Sequence, residues 1–120
     1  GGAVLAGLSG SRLYSGGPNQ YTERQMALRS LALSARIGGR ALLGRPTPTV
    51  FVTHSPPLGL GDRKDPCHTG FRAFLRLIDR HRPALWLHGH VHLYGPGQPR
   101  ALRRKDTEVL NVFGHRFVEL

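Results

Sequence analysis

Sulfur is almost missing from this chain. Cys67 is the single cysteine and Met26 the single methionine, so no intrachain disulfide can form and a disulfide-stapled scaffold is excluded. A lone thiol fits a reducing compartment, and a cytoplasmic location is expected. No apolar run approaches the ~20 residues that a membrane-spanning helix needs. Gly1 to Leu8 is apolar but short, and no basic stretch precedes it, which argues against a signal peptide. Acidic residues are scarce too: 7 Asp and Glu stand against 17 Lys and Arg, a formal net charge of +10. Such a surplus favours phosphates or nucleic acid as partners. The cations are scattered, however, and only Arg103-Arg104-Lys105 forms a run, which reads more simply as a solvated surface.

What is present suffices for one modest domain. The chain has 120 residues, 39% of them hydrophobic, an ordinary value for a globular core. Val4 to Leu8 reads as a short buried strand, and Ser9 to Asn19, rich in glycine and serine, as a loop. Thr22 and Gln25 match a capping box, so a helix begins there, with Met26, Leu28, Leu31, Ala32 and Ala35 as its apolar face and Gly38-Gly39 as its stop. Arg45 to Pro48 is a turn. Thr49 to Thr53 is β-branched and aromatic, a central strand ended by Pro56-Pro57. After a polar loop, Thr69 caps a second helix whose stripe is Phe71, Phe74, Leu75 and Ile78 and which Pro83 stops. Ala84 to His88 is the next strand. Tyr94 to Pro99 is a turn-rich loop, and Val109 to Phe113 pairs with Arg116 to Val118 about Gly114. The alternation of strands and helices predicts an α/β layered domain.

Three of the seven histidines stand out by their placement. His54 closes one predicted strand; His90 and His92 follow another, just after Gly89. Strand ends are where ligands collect in α/β sheets, and imidazole suits zinc, iron, nickel or manganese. The His-x-His spacing can aim two rings at one site. A single histidine at a strand end is ordinarily only a partly buried polar residue, so it is the combination that points to a metal. The others carry less. His68 sits in the loop between the two blocks, within reach of a substrate phosphate or merely at a helix entry. His88 reads as a core or supporting residue, His81 as a helix-end residue, and His115 as a turn residue. Arg12, Arg63 and Lys64 are loop cations, suited to steering an anion or simply solvated. Cys67 is a possible soft ligand that lacks a second cysteine at metal spacing.

Thr53-His54-Ser55-Pro56-Pro57 and Gly89-His90-Val91-His92 resemble the last two sequence blocks of the calcineurin-like metallophosphoesterase superfamily. Gly10-Ser11, Tyr14, Gln20-Tyr21-Thr22-Glu23 and Leu110-Asn111-Val112 are similar to its small bacterial phosphodiesterase-like members. The resemblance covers most of the chain. It implies the C-terminal half of a four-layer αββα sandwich, two divalent ions (Mn, Fe, Zn or Ni), and hydrolysis of a phosphoester, a diester before a monoester. His54 and His90 would hold one ion and His92 the other. Nucleic acid enters only as a substrate, in a nuclease of the same superfamily.

The family pattern also requires Asp-x-His, Gly-Asp-x-x-Asp and Gly-Asn-His blocks upstream. The first and third are absent. Gly61-Asp62-Arg63-Lys64-Asp65 fits the second literally but comes after the His54 block, in a polar loop, so Asp62 and Asp65 are expected on the surface and not between metals. The chain opens on glycine, and the missing blocks are expected before Gly1. The bridging carboxylate and the catalytic residues are therefore not identified here. The competing expectation is a non-catalytic metal- or nucleic-acid-binding module.

Overall fold

A computed structural model describes residues 3–93, 98–114 and 116–120. The elements in chain order are β1 (Leu5–Leu8), β2 (Ser11–Arg12), β3 (Gln20–Tyr21), α1 (Glu23–Leu42), β4 (Val50–Thr53), α2 (Arg72–His81), β5 (Leu85–His88), β6 (Ala101–Arg104) and β7 (Thr107–Asn111). Five strands form one mainly parallel sheet in the order β1-β4-β5-β7-β6, with only β6 antiparallel to its neighbour. The domain is α/β, as its alternating elements predict. No helix among the described residues is long and apolar enough to cross a membrane.

Both helices pack on one face of the sheet. Alternation along the strands puts Phe51, Trp86 and Val109 on that face, where they meet Met26, Ile37, Phe71, Phe74, Leu77 and Ile78 in one core. Trp86 stacks on Phe51 at 5.2 Å between ring centroids. Its Nε1–H donates to Thr53 Oγ1 at 2.9 Å, and Thr53 Oγ1 donates to Ser55 O. A buried indole N–H thus finds its acceptor at the end of β4, which fixes where that strand stops. On the opposite face Leu5 and Val52 remain 60% and 42% exposed.

Helix α1 starts as the capping box predicts, with Thr22 and Gln25 bonded reciprocally. Its stop differs. The helix runs through Gly38-Gly39 to Leu42, because nothing at those positions demands a left-handed residue. The turn-off is Gly44, at φ +67°, whose N–H donates to Ala41 O while Arg45 N–H donates to Arg40 O. That pair of bonds is a Schellman motif. The buried face also differs: it follows Met26, Ser30, Leu33 and Ile37, leaving Leu28 and Leu31 exposed.

Helix α2 has no side-chain cap of its own; its N-cap is Phe71, and Thr69 instead donates to Asp65 O. The orphan donors of its first turn go to a distant carboxylate. Arg72 N–H donates to Glu23 Oε1 at 2.7 Å and Ala73 N–H to Glu23 Oε2 at 3.0 Å. The stripe includes Leu77 and Ala73 as buried members, whereas Leu75 is only half-buried. The closing strands are re-paired as well. β7 lies between β5 and β6, and the two-residue turn at Lys105-Asp106 links β6 to β7, whereas residues 116–118 form no strand. The basic run is spent locally: Arg104 makes a bidentate pair with Asp79 at 2.9 and 2.8 Å, Lys105 lies 3.2 Å from the same carboxylate, and Arg103 lies 3.8 Å from Glu108. Part of the predicted 94–99 loop, and His115, lie outside the described residues.

Candidate metal centre

The histidine edge is built by the pairing of β4 with β5. The ladder continues one rung past the strands, with Gly89 N–H donating to His54 O at 3.0 Å. This brings His54 and the Gly89-His90 turn side by side at the C-terminal end of a parallel sheet, the end where ligands collect. Val91 N–H then donates to Gly89 O at 2.7 Å, closing a γ-turn centred on His90 at φ +64°. A positive φ at a non-glycine residue is costly, and such positions cluster at functional sites. Buried Asn111 holds the turn from below: its Nδ2–H donates to Val91 O at 2.7 Å and its Oδ1 accepts from Phe113 N–H.

His54 Nε2 and His90 Nδ1 lie 2.8 Å apart. His90 Nε2 lies 2.8 Å from Cys67 O. A carbonyl only accepts, so in the neutral ring His90 Nε2–H donates to it; Nδ1 then accepts from His54 Nε2–H. Although His54 as a whole is exposed, crowding of its ring, and then the charges of His90 and His92, hold it below the usual imidazole range. His92 is exposed; its ring stacks on Phe113 at 4.5 Å and its carbonyl accepts from Arg63 Nη2 at 2.8 Å.

The loop preceding α2 brings a second set of donors to His90. Cys67 Sγ is 3.6 Å from His90 Nε2, and the His68 and His90 rings are 4.9 Å apart. One donor atom from each of Cys67, His68 and His90 lies within 4.8 Å of the other two. His68 is oriented by Asp65: its Nδ1 is 2.8 Å from Asp65 Oδ1, and its backbone N–H donates to the same oxygen. Desolvation acts to raise the Asp65 carboxyl, but the bonds from the His68 ring and backbone outweigh it and leave it below the usual carboxylate range. Asp62 has both oxygens occupied in closing the loop, accepting from Gly59 N–H at 3.0 Å and Gly70 N–H at 2.9 Å.

No family model, curated protein or solved structure matches the chain. The weight therefore rests on the donor set. Paired imidazoles suit a divalent cation, and the two carboxylates of the adjoining loop are engaged there, Asp62 closing the loop through both oxygens and Asp65 holding His68 through Oδ1. The donors brought together at this edge suit a single cation.

The remaining candidates have structural roles here. His88 is buried, with its Nδ1 3.2 Å from Gly89 O; burial pushes it below the usual value, against the opposing effects of that carbonyl and of Asp62. His81 bonds Ser34 Oγ at 2.7 Å and stacks on Phe51. Arg12 is a clasp, its guanidinium donating to Gly70 O at 3.3 Å and to Glu23 Oε1 at 3.2 Å while lying over Phe71. The apolar groove between α1 and α2, lined by Ala27, Leu31, Ala73 and Leu77, contains no histidine, cysteine or carboxylate. Sequence reasoning undervalued Cys67 by seeking a second cysteine; its neighbours are histidines, one of them 23 residues away. The legible signal was Asp65-Pro66-Cys67-His68, a carboxylate three residues before an imidazole.

Proposed function

We propose that the chain carries the histidine share of the metal site of a phosphoester hydrolase, acting on diesters in preference to monoesters. The observation that carries this reading is the His54–His90 pair, 2.8 Å apart at the ends of adjacent parallel strands. His54 and His90 are donors to one cation, and His92, close enough for its charge to act on His54, contributes to a second. Two bound divalent cations supply Lewis acidity and an activated water to such a reaction. The resemblance of Thr53 to Pro57 and of Gly89 to His92 to metallophosphoesterase blocks supports the same reading.

The sandwich architecture is part of the proposal. Mainly parallel sheets are ordinarily covered on both faces. Here the helices cover one face, and exposed Leu5 and Val52 on the other suit a second β-layer, as an αββα sandwich requires. That layer is also the natural source of the bridging carboxylate.

The test is initial rate on bis(p-nitrophenyl) phosphate against added manganese. The forms compared are the 120-residue chain, the chain extended by whatever the gene encodes before Gly1, and, of each, the His54→Ala and His92→Ala variants and the double variant that combines them. The bare chain should be no faster than its double variant. In the extended form each substitution should cost at least ~10²-fold, because losing a ligand misplaces the nucleophile as well as the metal. Robust turnover by the bare chain that the double variant lacks refutes the incomplete-site account. An extended form that binds two metals and hydrolyses no phosphoester refutes the function.

A further inference from the structure

We propose that Cys67, His68 and His90 form a mononuclear site for a thiophilic divalent cation, of the zinc or cobalt class, distinct from the His54–His92 side of the edge. It competes with the phosphoesterase reading for His90, since a neutral imidazole ligates one cation: His90 serves either Cys67 and His68 through Nε2 or the His54 side through Nδ1. It reassigns His68 from a phosphate contact to a metal ligand.

The geometry is nearly that of a bound state. In a tetrahedral site with metal–sulfur and metal–nitrogen bonds of about 2.3 and 2.0–2.1 Å, a sulfur and a nitrogen ligand stand about 3.6 Å apart. Cys67 Sγ and His90 Nε2 are 3.6 Å apart. The third donor lies within 4.8 Å of both, and two nitrogen ligands would stand about 3.3 Å apart in the same geometry, so the His68 ring has to draw in to complete the triangle. Asp65 prepares that ring. With Nδ1–H donated to the Asp65 carboxylate, Nε2 of the neutral ring carries the lone pair, the carboxylate–histidine arrangement that orients metal ligands.

Binding balances simply. The Cys67 thiol loses its proton to solvent and becomes a thiolate bonded to the cation. His90 Nε2 gives up its bond to Cys67 O and its proton to solvent, His90 Nδ1 takes the Nε2 proton of His54, and His54 regains one from solvent at Nδ1, so that His54 Nε2 at 2.8 Å becomes the acceptor. The thiolate and the nearby Asp65 carboxylate together offset a dipositive charge, which neutral imidazoles alone do not. A thiolate selects zinc or cobalt over magnesium or manganese. Three protein ligands leave the fourth position open to water or an anion.

The test is titration of the 120-residue chain with Co²⁺, read as the thiolate-to-cobalt charge-transfer band in the near ultraviolet, followed by displacement with Zn²⁺. Cys67 is the only cysteine, so such a band has one possible source. The expected result is one equivalent of cobalt, a band abolished by Cys67→Ser, and cobalt affinity lowered at least tenfold by His68→Ala. His92→Ala should leave the band unchanged. His54→Ala should leave its intensity at saturation unchanged, because His54 supports the ring without ligating. Circular dichroism of each variant confirms folding; Cys67 and His68 are on a half-exposed loop, so both substitutions leave the core intact. No band in the wild-type chain, or a cobalt affinity indifferent to His68→Ala, overturns the site. A band lost at saturation in His54→Ala or His92→Ala overturns its separateness from the other histidines. None of these readouts involves phosphoester hydrolysis, so its outcome leaves that question to the rate assay.

Discussion

Replacing Glu23 by alanine should cost the fold about 2 kcal/mol, although the residue lies on the first turn of a helix it does not need to cap. Its carboxylate accepts two backbone N–H groups from the start of α2, at 2.7 and 3.0 Å, and the Arg12 guanidinium at 3.2 Å. A hydrogen bond to a charged acceptor contributes about 1.5–3 kcal/mol when shielded, and loss of a helix cap costs about 0.5–2 kcal/mol. Glu23 is 33% exposed on its side chain, so water replaces part of what is lost, and the lower half of the combined range applies. For a chain of this size about 2 kcal/mol corresponds to a fall in Tm of roughly 6–10 °C. Glu23→Gln keeps the shape and one acceptor but no charge, and should lose about half as much. The assay is urea and thermal unfolding followed by circular dichroism, with an unchanged m-value as the sign that only stability moved. Glu23→Ala within 0.5 kcal/mol of wild type refutes the cross-helix cap. A Gln variant as unstable as the Ala variant refutes the role of charge in it. The same clasp holds Gly70, at the end of the Cys67–His68 loop, so the alanine variant should also bind cobalt more weakly at temperatures where it remains folded.

The glycines of α1 should respond in opposite directions. Gly38→Ala and Gly39→Ala, mid-helix with open space around the new Cβ, should each stabilise by about 0.5–1 kcal/mol in urea melts, whereas Gly44→Ala, at φ +67°, should destabilise by about 1 kcal/mol; equal signs at all three would contradict the observed helix end. Asp79 is held down to about 2, chiefly by its hydrogen bonds to Arg104 and Lys105 against an opposing desolvation. A carboxyl lowered by folding stabilises above its unfolded value of 3.8, and that contribution is lost as pH falls from there toward 2. After discounting for solvent screening, Asp79→Asn should cost about 1 kcal/mol at pH 6 and nothing once wild-type Asp79 is protonated; a difference constant from pH 6 to pH 2.5 would rule out the ion pair as its source.

The one-dimensional chemistry of the chain was enough for the main elements. The β-branched run before His54, the capping box at Thr22 and the stripe from Phe71 to Ile78 each depend on local propensity or on a single period, and each sits where the sequence puts it. Element ends and partners were another matter. Gly38-Gly39 looks like a stop, yet the helix ends at Gly44, because glycine tolerates a helix and only backbone bonding decides which one turns left-handed. Leu28 and Leu31 have the spacing of a core face, yet Ser30 and Ile37 are buried, because the helix turns its Met26–Ser30–Ile37 side into the core beneath the sheet and leaves Leu31 at the rim of the groove beside α2. The His54 and Gly89-His90-Val91-His92 blocks are legible as potential ligands, since residue type alone marks them. That His90 faces Cys67 and His68, and that Glu23 caps a helix some fifty residues away, follow from none of the local patterns. Those contacts join segments distant in sequence, and their geometry exists only once the parallel sheet has brought the strand ends together.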